Sequence, residues 1–266
     1  MLHRTMLKAV LKTLPAAIVL AIASASAAAD PMYPSDAEGF HGYLRAGAGS
    51  NTSGDGGSQG CFGLVGVNGA GKTSLIKCLL DFCALDGGKI AIFGQPHDRP
   101  ASRAPLGFLP ERFIPPYYLT GADFIKYLLT LQGLAYDAQA VAAMLAALDL
   151  DPGALKKTVR SYSKGMTQKL GLAACLLSDK RLYVLDEPMS GLDPKARALL
   201  KGRLRALHDA GSTLFLTSHA LADVDELCDR MAILHDGAIR FTGTPAECRA
   251  RYGADTLEQA FLACIA

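Results

Sequence analysis

A glycine-rich segment at residues 66–73 constrains the fold more than any other feature of the sequence. It matches the pattern G-x-x-x-x-G-K-[ST], with Lys72 and Thr73 at its end. Glycines at these positions let successive backbone N–H groups turn toward phosphate oxygens. An apolar run precedes the segment at residues 63–65, and residues 74–80 have the pattern of a helix. The sequence therefore predicts a strand, a phosphate-binding loop and a helix whose positive N-terminal end faces an anion.

The loop residues have distinct expected roles. Lys72 would place a positive charge beside the β- and γ-phosphates of a nucleotide, and the Thr73 hydroxyl would bind Mg²⁺. The other residues expected to bind the nucleotide are Gly66, Asn68, Gly69, Ala70, Gly71 and Ser74.

A second apolar run, at residues 182–185, ends in the adjacent acids Asp186 and Glu187. The run predicts a buried parallel strand. Asp186 would hold Mg²⁺ directly or through water, and Glu187 would orient and deprotonate an attacking water. Taken alone, the two acids could instead begin a helix. The phosphate loop favours the catalytic interpretation, because ligand groups gather at the carboxyl ends of parallel strands.

Four further segments occur in a fixed order. Together with the two motifs above they resemble the ATPase subunits of ABC transporters, over about residues 61–266. The four segments are the signature loop at 162–170, the D-loop at 190–193, the switch-histidine strand at 216–219 and the closing strands at 229–237. The resemblance implies an α/β fold with a P-loop NTPase core and a parallel sheet. It also implies an ATPase domain at 63–266 with an inserted helical subdomain at about 106–177. Most of the usual N-terminal antiparallel β subdomain is expected to be lacking. The residue pattern itself predicts a returning strand at 89–93, helices at 122–132 and 138–150, where apolar residues recur every three to four positions, and a short amphipathic helix at 256–262.

The resemblance also implies roles for single residues. Ser163 and Gly165 would close on the γ-phosphate bound by the other subunit of a head-to-tail dimer, and Asp193 would link the two sites. His219 would contact the γ-phosphate and the attacking water. Glu111 stands where the family usually has glutamine, and it would contact Mg²⁺ or water. The plainer alternatives are a helix cap for Ser163, a surface or core histidine for His219 and an exposed loop acid for Glu111.

ATP and Mg²⁺ are therefore the expected cofactors, with hydrolysis driving a transmembrane permease of exporter type. The ATPase domains would form a homo- or heterodimer on the cytoplasmic face of a bacterial inner membrane. The net charge of +2 gives no sign of a nucleic-acid partner. A soluble ABC ATPase of translation or repair is disfavoured, because such proteins usually carry two ATPase domains and the sequence has one phosphate loop.

The pattern of the first 29 residues conflicts with a cytoplasmic location. A basic start with Arg4 and Lys8 precedes an apolar run at 16–23 and a small-residue stretch at 23–29, the pattern of a secretory signal peptide. An amphipathic N-terminal helix is the alternative. The apolar run is shorter than the roughly 20 residues that span a bilayer.

Residues 30–62 form a possible strand followed by a Gly/Ser-rich linker, and they resemble the mature N-terminus of maltoporin-type sugar porins. The matching residues are Gly39, Phe40, His41, Gly42, Tyr43, Arg45, Gly47, Gly49, Gln59, Gly60, Cys61 and Phe62. A porin barrel needs many more alternating strands, so a porin function is excluded. The alternative to a working subunit is a chimeric, non-functional or exported ATPase fragment. The spacing of Tyr43 before Lys72 could suit an adenine-stacking aromatic, but its neighbours do not match the family, so the coincidence is interpreted as accidental.

The seven cysteines include no C-x-x-C pair. Because their number is odd and this spacing is missing, a disulfide framework and a structural zinc site are both poor interpretations. Most of these cysteines are expected to be small buried apolar residues.

Overall fold

The computed structural model describes the backbone of Ile18–Ala21 and, in full, residues 60–85 and 87–266. The strands of this part are, in chain order, β1 Ile18–Ala21, β2 Cys61–Val65, β3 Lys89–Ile92, β4 Gln95–Pro96, β5 Leu106–Leu109, β6 Leu182–Leu185, β7 Thr213–Ser218, β8 Arg230–His235 and β9 Ala238–Gly243. Its α-helices are α1 Lys72–Leu79, α2 Pro100–Arg103, α3 Gly121–Leu131, α4 Ala138–Ala147, α5 Lys164–Leu176, α6 Pro194–Asp209, α7 Leu221–Leu227, α8 Pro245–Tyr252 and α9 Leu257–Ile265. Two short 3₁₀ helices lie at Pro152–Lys156 and Val159–Ser161.

The chain divides into two compact units. The first contains Met1–Pro105 and Thr217–Ala266, and the second contains Leu106–Leu216. The predicted boundaries at 1–29, 30–62 and 63–266 stay predictions. The predicted porin-like strand and Tyr43 lie outside the described residues, as does the predicted signal segment apart from β1.

The first unit contains β2, all of whose residues are buried. It pairs in parallel with β8, from Phe62 opposite Arg230 to Val65 opposite Ile233, and β8 pairs antiparallel with β9. Helix α7 packs against β2 at Gly63, where an added Cβ would lie 2.8 Å from Cγ1 of Val224. A buried strand of this kind is what the apolar run before the phosphate loop predicts.

A small antiparallel sheet also belongs to the first unit. It has the strand order β1-β3-β4, and Ile18 lies opposite Ile92 in its register. The predicted strand at 89–93 ends one residue early, at Ile92, because Phe93 and Gly94 both have positive φ angles, 47° and 77°, and turn the chain. Strand β1 thus comes from the apolar run at 16–23, which has the pattern of a signal peptide.

The second unit is built on the parallel strands β5, β6 and β7. Leu106–Leu109 pairs with Leu182–Leu185, which pairs in turn with residues 213–216 of β7. Every residue of β6 is buried. The acidic pair at 186–187 therefore follows the carboxyl end of a fully buried strand, as the sequence predicts.

Helices α3, α4 and α5 supply most of the helical part of this unit. Thr120, Asp137 and Ser163 cap their N-termini through side-chain oxygens that accept backbone N–H groups. The predicted helix at 122–132 is confirmed within one residue as α3. The predicted helix at 138–150 is too long, because α4 ends at Ala147 and Asp149 turns the chain with a φ of 53°.

The helix predicted after the phosphate loop and the helix predicted near the C-terminus are also present. Helix α1 begins at Lys72, two residues before the expected start, and α9 begins at Leu257 after the cap residue Thr256. Among the described residues, no helix combines the length and the apolar character needed to cross a membrane.

Candidate functional site

The phosphate loop connects β2 to α1. Gly69 and Gly71 have φ angles of 83° and 106°, values that glycine adopts without a steric penalty. The N–H of Ala70 donates to the carbonyl oxygen of Val67 at 3.1 Å, which closes a tight turn inside the loop. At Gly66 an added Cβ would lie 2.5 Å from the carbonyl oxygen of Leu234. The glycines of the motif are therefore needed by this backbone path.

Lys72 lies inside the loop that it follows. Its ammonium donates to the carbonyl oxygens of Gly66 at 2.8 Å and of Val67 at 3.4 Å, and its side chain is buried. Residues 67–69 at the front of the loop are exposed, as is Ser74, and Thr73 is half-buried. A cation surrounded by a glycine loop at a helix N-terminus has the composition of an anion site.

His219 also belongs to the first unit. It follows β7, and its side chain is exposed. The neighbouring Ser218 hydroxyl accepts the N–H of Ala220 at 3.0 Å, which fixes the backbone directly after the histidine. The imidazole is thus carried on a well-defined turn at the carboxyl end of a strand.

The acidic pair lies in the second unit at the end of β6. Asp186 is 1% exposed and Glu187 is 6% exposed. The N–H of Asp186 donates to the carbonyl oxygen of Leu109 at 2.9 Å, which ties the pair to the end of β5. Glu187 has a φ of 50°, an uncommon conformation for a residue with a side chain, and such conformations cluster at functional sites.

Glu111 follows β5 by two residues and is exposed. Because β5 and β6 pair in parallel, with Leu109 opposite Leu185, Glu111 and Asp186 follow neighbouring strands at the same edge of the sheet. The structure therefore brings Glu111 to the end of the sheet that carries the acidic pair.

Ser163 and Gly165 begin α5 in the second unit. The hydroxyl of Ser163 accepts the N–H of Met166 at 3.2 Å, so this serine is a helix cap, and it is also exposed. An added Cβ at Gly165 would lie 3.1 Å from the carbonyl oxygen of Gly191, and one at Gly191 would lie 3.2 Å from Cε of Lys164. The structure thus brings the predicted signature loop and D-loop together.

Asp193 caps α6 through Oδ1, which accepts the N–H of Ala196 at 2.9 Å. This backbone hydrogen bond is the main cause that lowers the pKa of Asp193 below its usual value, and the charge of Lys169 adds to it. The carboxylate is more than half exposed, so it caps the helix while one face remains open to solvent.

Comparison with known protein families shows which family the chain belongs to. The sequence model of the family described as ABC transporter matches residues 51–190, which is more than half of the 266 residues. The chain belongs to the ABC transporter family.

Two curated relatives illustrate the similarity. An uncharacterized ABC transporter ATP-binding protein of Synechocystis is 40% identical over 190 residues, which are 70% of this chain and 53% of that protein. The Nod factor export ATP-binding protein I of Rhizobium etli is 35% identical over 188 residues, which are 70% of this chain and 60% of that protein. The chain thus spans little more than half the length of these ABC proteins.

A solved structure is similar in fold as well. The structure of an ATP-binding subunit of an ABC transporter superposes with a TM-score of 0.71 at 28% sequence identity. The match covers 77% of this chain and 88% of that one. The mixed α/β fold with its parallel sheet is therefore that of an ABC ATPase, as the sequence predicts.

One group of charges near the ABC signature segment escaped the sequence analysis. Lys169 of α5 is buried, and its ammonium donates to the carbonyl oxygen of Asp149 at 2.7 Å. The same ammonium lies 3.5 Å from the carboxylate of Asp149 and 3.9 Å from that of Asp193. Lys195 donates to the other oxygen of Asp149 at 2.6 Å.

This network ties the end of α4 to the start of α6. The hydrogen bond from Lys195 is the main cause that holds the pKa of Asp149 below its usual value, and the charges of Lys195 and Lys169 lower the pKa further. No local sequence pattern could have found the group, since Lys169 and Lys195 follow Asp149 by 20 and 46 residues.

Proposed function

We propose that this chain binds ATP and hydrolyses it as the ATP-binding component of an ABC transporter. The observation that carries the proposal is the phosphate loop, with the buried Lys72 ammonium held on the carbonyl oxygens of Gly66 and Val67 at the start of α1. Export is the proposed direction, because one curated relative is named a Nod factor export ATP-binding protein.

In the proposed reaction the loop holds the triphosphate. The backbone N–H groups of residues 66 and 68–71 surround the β- and γ-phosphates, with Ser74 at their edge, and Lys72 offsets their negative charge. Glu187 accepts the proton of a water molecule, whose oxygen attacks the γ-phosphorus, and ADP leaves. His219 contacts the γ-phosphate and orients the water.

The oxygen donors fit a magnesium ion. Asp186 stands at the carboxyl end of β6, the place where ligand groups of parallel sheets gather. Asp186 and the Thr73 hydroxyl are hard oxygen ligands of the kind that Mg²⁺ prefers, and Glu111 is a candidate to bind the ion or its water. When bound, the ion neutralises charge that develops on the phosphate oxygens.

We further propose that the ATPase acts as a homo- or heterodimer and serves a transmembrane permease. The exposed Ser163 at the start of α5 and the half-exposed Asp193 at the start of α6 would meet the partner's nucleotide, Ser163 together with Gly165. The positive N-terminal end of a helix favours a phosphate there. The proposed location is the cytoplasmic face of a bacterial inner membrane.

The N-terminal segment leads to a second candidate. Residues 1–62 would be a signal peptide and a porin-like start joined to an ATPase, and the product would be exported away from ATP. The pairing of β1 with β3 favours a retained segment, because signal cleavage would remove β1. Cell fractionation and the intact mass of the purified chain decide between them. A periplasmic chain beginning near Asp30 supports the second candidate, and a full-length membrane-associated chain supports the first.

The experiment that tests the proposed activity compares two glutamate variants. Glu187→Gln is expected to lower Mg²⁺-dependent ATP hydrolysis by about a hundredfold or more, the usual loss when a general base is removed. ATP binding should survive in this variant, since the phosphate loop is unchanged. Glu258→Gln, on the exposed start of α9, is the matched control and should hydrolyse ATP normally. Equal rates in the two variants would reject the role of Glu187.

A further inference from the structure

Two buried thiols meet at the start of β2. The Sγ atoms of Cys61 and Cys228 lie 3.6 Å apart, although the residues are 167 positions apart in the sequence. Cys61 is 3% exposed and Cys228 is 7% exposed. Both residues belong to the first unit, where α7 and the start of β8 adjoin β2.

Two hydrogen bonds between Cys61 and Asp229, the residue after Cys228, hold the two thiols in place. The N–H of Cys61 donates to Oδ2 of Asp229 at 2.7 Å, and the N–H of Asp229 donates to the carbonyl oxygen of Cys61 at 2.9 Å. On the same face of β2, an added Cβ at Gly63 would lie 2.9 Å from Sγ of Cys228. Because Cys228 rests directly on the strand, its sulfur has little room to turn away from Cys61.

We propose that Cys61 and Cys228 form a dithiol site that a small-molecule disulfide oxidises to an intramolecular disulfide. A disulfide bond is about 2 Å long and needs Cα atoms about 4.4–6.8 Å apart. Residues 61 and 229 are already joined by one backbone hydrogen bond and by one from the Cys61 N–H to the Asp229 carboxylate, so closure needs rotation of two side chains rather than a rearrangement of the strands.

The reaction is a two-step thiol–disulfide exchange. One protein thiol loses its proton, and its thiolate attacks a sulfur of the small disulfide, which releases one small thiol after protonation. The second protein thiol then loses its proton and attacks the protein sulfur of the mixed disulfide, which releases the second small thiol. The protein loses two electrons and two protons, and the small disulfide is reduced to two thiols.

The surroundings make this site slow to react. The hydrogen bond shared with Cys61 and then burial raise the pKa of Cys228 well above its usual value, so thiolate is scarce at neutral pH. A reagent reaches the pair when the short helix α7, which ends at Leu227, opens locally. Once formed, the disulfide is shielded from reductants by the same packing.

The disulfide would join the start of β2 to the connection between α7 and β8. Strand β2 runs from Cys61 to Val65, and the phosphate loop begins at the opposite end of the strand, at Gly66. Oxidation therefore leaves the loop free. The redox site does not depend on the proposed ATPase activity, and nucleotide binding should be equal in the oxidised and reduced chains.

Peptide mapping of the full chain tests the proposal. The chain is incubated with oxidised glutathione and then unfolded in urea that contains iodoacetamide, which alkylates the remaining free thiols. It is then digested with trypsin without reductant. The expected result is a cross-linked peptide pair containing Cys61 and Cys228 that separates on addition of dithiothreitol. Cys83→Ser, which removes an exposed cysteine, should give the same cross-link in the same yield. Cys228→Ser should give none.

If Cys228→Ser does not fold, the wild-type digest alone is sufficient to test the proposal. The proposal is overturned if Cys61 and Cys228 are both recovered alkylated, or if each carries only glutathione. A cross-link from Cys61 to a cysteine other than Cys228 also overturns it.

Discussion

The ammonium of Lys72 donates to the carbonyl oxygen of Gly66 at 2.8 Å, so the phosphate loop encloses its own cation. A triphosphate entering the loop would meet this charge with the lysine already in position. We expect Lys72→Ala to weaken binding of a fluorescent ATP analogue by about tenfold to a hundredfold, because hydrogen bonds to charged groups contribute about 1.5–3 kcal/mol.

The control for this prediction is Lys77→Ala on the same helix, where the lysine is exposed. It removes the same charge from α1 without touching the loop. If both variants bind the analogue equally well, Lys72 does not contact the phosphates.

Gly66 is expected to be intolerant of a side chain. A Cβ at this position would lie 2.5 Å from the carbonyl oxygen of Leu234, which belongs to β8 and cannot move freely. Gly66→Ala should therefore destabilise the chain by about 1–3 kcal/mol, as overpacking usually does. Urea unfolding followed by circular dichroism measures the change.

Gly202→Ala is the matched control. Gly202 lies in α6, and an added Cβ there meets no atom within 4 Å. Alanine in a helix interior is favoured over glycine by about 0.5–1 kcal/mol, so this variant should be slightly more stable than the wild type. A stable Gly66→Ala chain would show that the loop can shift away from Leu234.

Lys169 and Lys195 both bind Asp149, but they should differ in their effect on stability. Lys169 is 10% exposed, and its ammonium also donates to the carbonyl oxygen of Asp149, whereas Lys195 is 71% exposed. Lys169→Met should cost about 1.5–3 kcal/mol, since it removes a buried charge-assisted hydrogen bond. Lys195→Met should cost much less, because exposed ion pairs are screened by water. Equal unfolding midpoints for the two variants in urea would contradict this ranking.

The stability of the chain should fall in acid partly through Asp149. Its pKa lies below the usual 3.8, mainly because of the hydrogen bond from Lys195. A carboxyl whose pKa is lower in the folded state stabilises that state above its unfolded pKa, which is about 3.9, and loses the contribution as the pH falls through the folded value.

The measurement is a series of urea unfolding curves between neutral pH and strong acid. The stability difference between the wild type and Asp149→Asn should be constant near neutrality and shrink below about pH 4. If the stability difference between the wild type and Asp149→Asn stays constant down to the lowest pH, protonation of Asp149 does not contribute to the loss of stability in acid.

The parts of the fold that depend on local pattern were predictable. The four apolar residues of β6 predicted a buried strand, and the glycine loop predicted the start of α1 within two residues. The end of α4 could not be predicted in this way. Leu148 and Leu150 continue the apolar pattern and are buried, although the helix ends at Ala147. Apolar spacing reports which side chains are buried, and it does not report where backbone hydrogen bonds stop.

The features that depend on long-range contacts left no local signal. The positive φ of Glu187 is imposed by its surroundings, because glutamate does not favour that conformation. The Lys169 network and the Cys61–Cys228 pair join residues that are 20 to 167 positions apart. Sequence spacing could therefore name the acids and the glycines of the site, but not the charges and thiols that the fold packs around them.

Ser163 allows a structural role to be separated from a functional one. Its hydroxyl caps α5 by accepting the N–H of Met166, and asparagine caps helices about as well as serine. Ser163→Ala should cost about 1 kcal/mol of stability, whereas Ser163→Asn should unfold at the wild-type urea concentration. If the hydroxyl also contacts the partner's γ-phosphate, the asparagine variant should still lose most ATP hydrolysis.

The matched substitution is Thr256→Asn, at the exposed cap of α9, where the hydroxyl accepts the N–H of Gln259. This variant should keep both its stability and its hydrolysis. A Ser163→Asn chain that hydrolyses ATP at the wild-type rate would limit Ser163 to capping, because its larger side chain would crowd a phosphate seated on the hydroxyl. A chain that is stable but inactive would require a contact beyond α5, and the partner's nucleotide is the proposed contact.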